Sequence, residues 1–421
     1  MLYAGRMTDA TDAQLAAQYE AFPYPERHPR DEAKRLVTGS PSHLREVDYW
    51  VFGAQRPKSI PLRALVAGGG TGDGTIMLAA HMARDGRAGS VTYLDRSEAA
   101  LRVARARAEA RGLTNIDFRQ GSLLDLPTLG LGEFDYIDCC GVLHHLPDPA
   151  EGLQALLSAL APGGGMGLMV YAPHGRTGVY MLQDALRLLA PETEPPKARL
   201  EVANRVMRHL PASAWLRLNG NFADHQTGGD AGLYDLLLNP RDRAYDVPAL
   251  AALLGEAGLA ITCFMEPMRY DPAAIMPDPK IRALAAAMDP ISRAALAEAL
   301  VGNISTHVVY CRRASEPVVM ADAFDPAAVP IAREVPGAEI AAGIKPDGSM
   351  VFIFNGLRVL VTLPALAAAI LRRIDGISSV GKIEQDLVAT GVDPTQFRRA
   401  WAETWSKMSQ LNRILLTPPA C

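Results

Sequence analysis

Between residues 62 and 171 short apolar runs alternate with longer amphipathic stretches, and this alternation restricts the chain to few folds. Residues 62–67 form an apolar run that enters a string of glycines, and 75–84 carry helical periodicity. The next strand is expected at 90–94, ending at Asp95. Ser97 is placed to cap a helix that runs to Arg111, where Gly112 stops it. Strands follow at 116–119, 134–139 and 166–171. A helix at 149–160 precedes the last of these and is stopped by Pro162-Gly163-Gly164-Gly165. Two later runs, 259–265 and 306–312, bring the strand count to seven. Strand–helix repetition of this kind predicts an α/β fold with a doubly wound, mostly parallel sheet.

The chain has 421 residues, which implies two or three domains. Residues 1–60 read as an arm: a helix at 11–21, then Phe22-Pro23-Tyr24-Pro25, whose prolines enforce an extended segment. A further helix is expected between Pro41 and Phe52. The core spans 61–313, with a helical insertion at 172–246 and a shorter one at 267–304. Residues 314–345, rich in Ala, Pro, Asp and Glu, read as a linker. Residues 346–421 read as a small α+β domain with a hairpin turning at Asn355-Gly356 and three helices. It superficially resembles winged-helix or peptide-docking units and is equally suited to making a homo-oligomer.

Hydrophobic residues make up 49% of the chain, enough to bury a sizeable core, while the net charge is only −4. That balance gives no general attraction to nucleic acid or an acidic membrane. Five cysteines occur without a CxxC pair, so neither zinc nor a disulfide framework is signalled and no metal is expected. The first residues carry Asp9, Asp12 and Glu20 and lack a secretory apolar stretch. The apolar region 351–374 is interrupted by Asn355, Gly356, Arg358 and Pro364, so no membrane span is expected. A cytoplasmic location is the expectation.

The chemistry concentrates where the first strand meets Gly68, Gly70 and Gly72. Glycines in a strand-to-helix turn let the backbone bend sharply and admit a nucleoside ligand; alone, they suit several nucleotides. Asp95, at the end of the following strand, is placed to accept hydrogen bonds from ribose hydroxyls. Further on stand Gly121-Ser122-Leu123-Leu124-Asp125-Leu126-Pro127 and Phe134-Asp135-Tyr136-Ile137, leading to Val142-Leu143-His144-His145-Leu146-Pro147-Asp148-Pro149. With the LAPGGG before strand five and LLGEAGL before strand six, these landmarks resemble the class I S-adenosylmethionine-dependent methyltransferases, in the same order, across 62–313.

The resemblance implies S-adenosylmethionine as cofactor and S-adenosylhomocysteine as product. It implies Gly68, Gly70 and Gly72 beside the methionine moiety, Asp95 on the ribose, Ser122 and Leu123 beside the adenine, and Gly141 and Val142 under the cofactor. Two positions depart from the family: Val66 stands where an acid is common, two residues before the first glycine, and Ser122 stands where Asp is common. Asp73, directly after the glycines, is the candidate to compensate for Val66. His144 and His145 read as a local structural pair, with a base or substrate contact beside the methyl group as the alternative. Tyr19, Phe22 and Tyr24 are candidates for an aromatic lid over the sulfonium.

Candidate catalytic residues are Tyr171 and His174, at the carboxyl end of strand five, and His225, next to Asp224 in a polar loop of the insertion. Arg176, Tyr234, Asp235, Arg241, Arg243 and Tyr245 are candidates to line the same mouth. The expected reaction is in-line displacement of the methyl group by a nucleophile of a protein, peptide or small molecule, with no metal required. Two other readings remain: a non-catalytic cofactor-binding regulator that kept the fold, and an NAD-linked oxidoreductase, which the strand-four landmarks do not suit.

Overall fold

A computed structural model describes residues 10–220 and 228–419. Seven strands form the central sheet: β1 (Leu62–Ala67), β2 (Gly89–Asp95), β3 (Ile116–Gln120), β4 (Phe134–Cys140), β5 (Leu160–Tyr171), β6 (Leu259–Phe264) and β7 (Thr306–Arg313). Their order is β3-β2-β1-β4-β5-β7-β6. The first five are parallel, and β7 runs antiparallel between β5 and β6. Apolar side chains on both faces explain why these runs are strands of a buried sheet. On one face Leu65, Ile137 and Cys139 pack under the helices Pro149–Ser158 and Val247–Glu256. On the other, Val66, Tyr136 and Tyr310 pack under the helix Asp73–Arg84 and the helical turns at Leu44–Glu46 and Val47–Val51.

Strand five begins earlier than the sequence predicts. Leu160 already pairs with Phe134, and pairing resumes with Gly165 opposite Tyr136 after a register shift. The prolyl-glycine run is therefore an irregular stretch inside the strand, with Gly163 at a φ of 72°. The shorter insertion carries two separate helices, Pro279–Ala286 and Pro290–Val301, because Asp289 caps the second ahead of Pro290.

At the C-terminal side, β8 (Pro330–Ala332) pairs antiparallel with β11 (Ile414–Leu416). The hairpin of β9 (Ser349–Phe354) and β10 (Leu357–Thr362) turns at Asn355 and Gly356, both at positive φ, as a two-residue primed turn requires. Helices Ala367–Leu371, Val380–Val388 and Pro394–Gln410 complete the unit. Thus 314–345, read as a linker, contributes β8 and the short helix Gly337–Ala342 to this unit. Its core of Phe397, Trp401, Trp405 and Met408 also takes in Tyr49, Ala54 and Met268 from outside it.

A buried carboxylate pins this seam. Glu46 is fully buried and accepts hydrogen bonds from Ser40 Oγ (2.9 Å), Tyr310 Oη (2.8 Å), Asn412 Nδ2 (2.6 Å) and Arg333 Nε. Nearby, buried His43 pairs with Glu334 at 3.0 Å and meets buried His81 edge-on, with ring centroids 4.4 Å apart. Burial lowers both imidazoles, His81 to about 3, so both stay neutral. Among the described residues no helix is long and apolar enough to cross a membrane.

Candidate active site

The connections of β1 and β4 leave in opposite directions, which opens a crevice beyond the carboxyl ends of these neighbouring strands. Gly68, at a φ of 82°, lets the two following loops touch there: a Cβ at this position would stand 2.3 Å from Val142 Cγ2. The crevice is a cavity of about 940 Å³. Of the residues assigned to a cofactor from the sequence, Gly68, Gly70, Asp73, Asp95, Ser122, Leu123, Gly141 and Val142 line it. Gly72 does not; it turns the chain into the helix Asp73–Arg84 against Ala104.

Asp95 organises the glycine turn. Its Oδ2 accepts the Gly70 amide and its Oδ1 the Ser97 amide, each at 2.8 Å. Each oxygen keeps a second lone pair for a hydroxyl donor. Ser122 uses its hydroxyl to accept the Leu124 amide at 3.2 Å and so caps a short turn. Asp73 is engaged differently from the sequence expectation. Burial opposes its ionisation, but Arg27 grips both of its oxygens and Arg107 bonds it at 2.7 Å, holding it below the ordinary carboxyl value. Its charge is neutralised by the protein itself.

The N-terminal arm, with its helix Ala10–Ala21, straps across the mouth of the cavity. Glu20 accepts hydrogen bonds from Ser97 Oγ and the Ala99 amide. Thr71 donates to the Pro25 carbonyl at 2.7 Å. Tyr19 and Tyr24 line the cavity, whereas Phe22 stacks on Tyr234 with a centroid separation of 5.2 Å.

At the other end the wall is made by Tyr19, His145, Tyr171 and Asp235. Both phenols donate to Asp235 at 3.0 Å. Burial, with the Asp235 charge, pushes both well above the ordinary tyrosine value, so they stay protonated. The Arg176 guanidinium lies 3.7 Å from the centre of the Tyr171 ring and is paired at 2.6 Å with Asp242. His145 Nδ1 lies 2.5 Å from the Arg241 carbonyl, to which it donates, so in the neutral ring the lone pair falls on Nε2. His144 is packed as a neutral ring between His145 and Tyr171, its pKa well lowered by burial.

His174 is not at this wall: it lies away from the cavity, half exposed, 3.2 Å from Glu298. His225 and Asp224 fall in 221–227, outside the described residues. Sequence reasoning missed Ser42 and Asp138, which meet at the floor of the cavity. Asp138 is the second of two acids in its strand and, unlike Asp135 near the start, stands among the strand's buried residues, and that interruption was the available signal. Burial pushes its carboxyl up to about 7, against the opposing pull of Ser42.

Residues 65–166 match a family model described as a methyltransferase domain. The protein syc1184_c of Synechococcus sp., itself uncharacterized, is 32% identical over 277 residues, which are 63% of this chain and 63% of that protein. The ubiquinone biosynthesis O-methyltransferase of Acinetobacter baylyi is 31% identical over 153 residues, 36% of this chain and 60% of that enzyme. The chain thus spans less than two thirds of the length of these curated relatives. Among solved structures, PKMT2 from Rickettsia typhi superposes with a TM-score of 0.62 at 14% identity, over 90% of this chain and 75% of that one. It has also been solved in complex with AdoHcy. That likeness is one of fold. Residues 65–166 thus carry a methyltransferase domain, set on this strand order and this glycine turn.

Proposed function

We propose that the protein transfers a methyl group from S-adenosylmethionine to a nucleophile of a small molecule or peptide, by direct in-line displacement. The observation that carries this reading is one cavity bounded by the glycine turn and Asp95 at one end and by Tyr19, His145 and Tyr171 at the other. Its volume lies at the upper end of the roughly 300–1,000 Å³ usual for ligand pockets, which suits a nucleoside and a modest acceptor together. The residues fit the cofactor. Gly68 and Gly70 line the cavity with bare backbone packed closely against Val142 and the Tyr24 carbonyl, and Asp95 keeps lone pairs for ribose hydroxyls. Leu123 and Val142 offer apolar surface for an adenine.

When bound, the cofactor supplies a methyl group already activated by its sulfonium. The protein's share is then to position, to exclude water and to manage a proton. The arm from Tyr19 to Arg27 closes the mouth against solvent. Tyr19 and Tyr171 remain protonated, so they orient an acceptor as hydrogen-bonding hydroxyls and do not remove its proton. His145, with its lone pair on Nε2, is the ring suited to take that proton. The likeness to an O-methyltransferase supports an oxygen acceptor, and the small C-terminal unit leaves a peptide acceptor open.

Calorimetric titration of wild type and Asp95→Ala with S-adenosylmethionine and S-adenosylhomocysteine tests the reading, followed by radiolabelled methyl transfer to candidate acceptors. Micromolar binding that Asp95→Ala loses, with label passed to an acceptor, supports it. Binding without transfer to any acceptor class favours a regulatory protein, and no binding sinks the proposal.

A further inference from the structure

Five carboxylates line the cavity among the described residues: Glu20, Asp73, Asp95, Asp138 and Asp235. The amino-acid end of S-adenosylmethionine carries an α-ammonium, and a buried cation needs an anion or several acceptors. Four of the five already accept two or more hydrogen bonds from the protein. Glu20 holds Ser97 and the Ala99 amide, Asp73 is gripped by Arg27 and Arg107, Asp95 holds two amides, and Asp235 receives two phenols. Asp138 differs. Ser42 donates to its Oδ2 and the Cys140 amide also favours the carboxylate, while its Oδ1 is buried without a well-formed hydrogen bond.

Position singles out the same residue. Val66 and Asp138 are register partners on the parallel pair β1 and β4. Register partners project from the same face of a sheet, on strands roughly 4.8 Å apart. An acid at Asp138 therefore stands beside the place that Val66 leaves apolar. Gly74, at the start of the helix after the glycine turn, keeps the space above it clear: a Cβ there would lie 2.8 Å from Asp138 Oδ2 and 3.1 Å from Ser42 Oγ.

We propose that Asp138, oriented by Ser42, is the anion that receives the α-ammonium of the cofactor, one strand away from where Val66 stands. The assignment rests on the cofactor reading above. It makes Asp138 a binding residue for the amino-acid moiety only, without a part in holding the nucleoside.

Two ligands separate the roles: S-adenosylhomocysteine, which carries the α-ammonium, and 5′-methylthioadenosine, which lacks the amino-acid group. By calorimetry, Asp138→Asn is expected to weaken S-adenosylhomocysteine by at least about tenfold, the scale of losing one partner of a buried charge pair. Methylthioadenosine affinity should stay within about twofold. Ser42→Ala, which leaves the carboxylate in place, should show the same selectivity at smaller amplitude. Should Asp138→Asn fail to fold, the comparison moves to wild type: a deaminated S-adenosylhomocysteine should bind at least about tenfold more weakly than the parent. Equal losses for both ligands, unchanged S-adenosylhomocysteine binding in the variant, or equal binding of the deaminated analogue would overturn the assignment while leaving the cofactor reading intact. A wild type that binds neither nucleoside overturns both.

Discussion

Two buried carboxylates sit on the same side of the sheet and live in opposite circumstances. Glu46, on the seam with the C-terminal unit, is enclosed by four donors from four parts of the chain. Asp138, at the floor of the cavity, has one side-chain donor, the nearby Cys140 amide, and an Oδ1 without a well-formed bond. A satisfied buried charge is architecture, because its partners come from the protein and hold the protein together. An unsatisfied one is an open valence that folding alone does not explain. The contrast separates the part of the molecule built to stay shut from the part built to receive a ligand.

The sharpest way to break this comparison is Glu46→Ala. It strands Arg333 and Asn412 in the interior and should destabilise the fold by about 3–5 kcal/mol, read by urea denaturation. A loss below about 1 kcal/mol would show that the seam does not depend on its carboxylate. Next comes acid. His81 has its folded value at about 3 against an ordinary 6.5, so the unfolded chain binds more protons between these values. Stability should therefore fall as pH drops from 6.5 toward 3, by about 2 kcal/mol at pH 5. His81→Gln should flatten that limb, and an unchanged slope would argue against a buried neutral ring.

Asp138→Asn should do the reverse of Glu46→Ala. With its folded value near 7 against an ordinary 3.8, the native state binds the extra proton, and stability is lost as pH rises between the two. At pH 8, without ligand, the variant should gain about 1–2 kcal/mol in thermal or urea unfolding. A large loss would class Asp138 with Glu46. The smallest effect is on ligand affinity: S-adenosylhomocysteine should bind about tenfold more weakly at pH 6 than at pH 8, since the carboxyl must shed a proton. The neighbouring Tyr136, Cys139 and Cys140 are pushed up by burial and Asp73 is held ionised by its arginines, so none of these competes in that range. Methylthioadenosine should show no such dependence.

Much of the sheet was legible because its inner strands are apolar on both faces and β1 to β4 run into glycine or acid. Six of the seven runs came within a residue or two, and the exception, β5, is hidden by glycines that usually end a strand. The nucleoside end of the cavity was legible for the same local reason: Gly68, Gly70 and Asp95 announce themselves within one strand–turn–helix–strand unit. What was hidden depends on pairing across distance. Ser42 meets Asp138 over 96 residues, and Tyr19 meets Asp235 over 216. Asp73 looked available in sequence and is not, because Arg27 and Arg107 converge on it from separate elements. Neither periodicity nor spacing reports which side chains a fold brings face to face.

The bond from Asn412 to Glu46 joins residues 366 apart. During synthesis, residue 46 leaves the ribosome long before residue 412 exists. For that interval the sheet side of the seam must persist with a carboxylate that lacks its Arg333 and Asn412 donors and with an uncovered apolar rim at Tyr49 and Ala54. The C-terminal unit thus acts as the closing stitch of translation, and a chain cut short before it would be left as a client for chaperones.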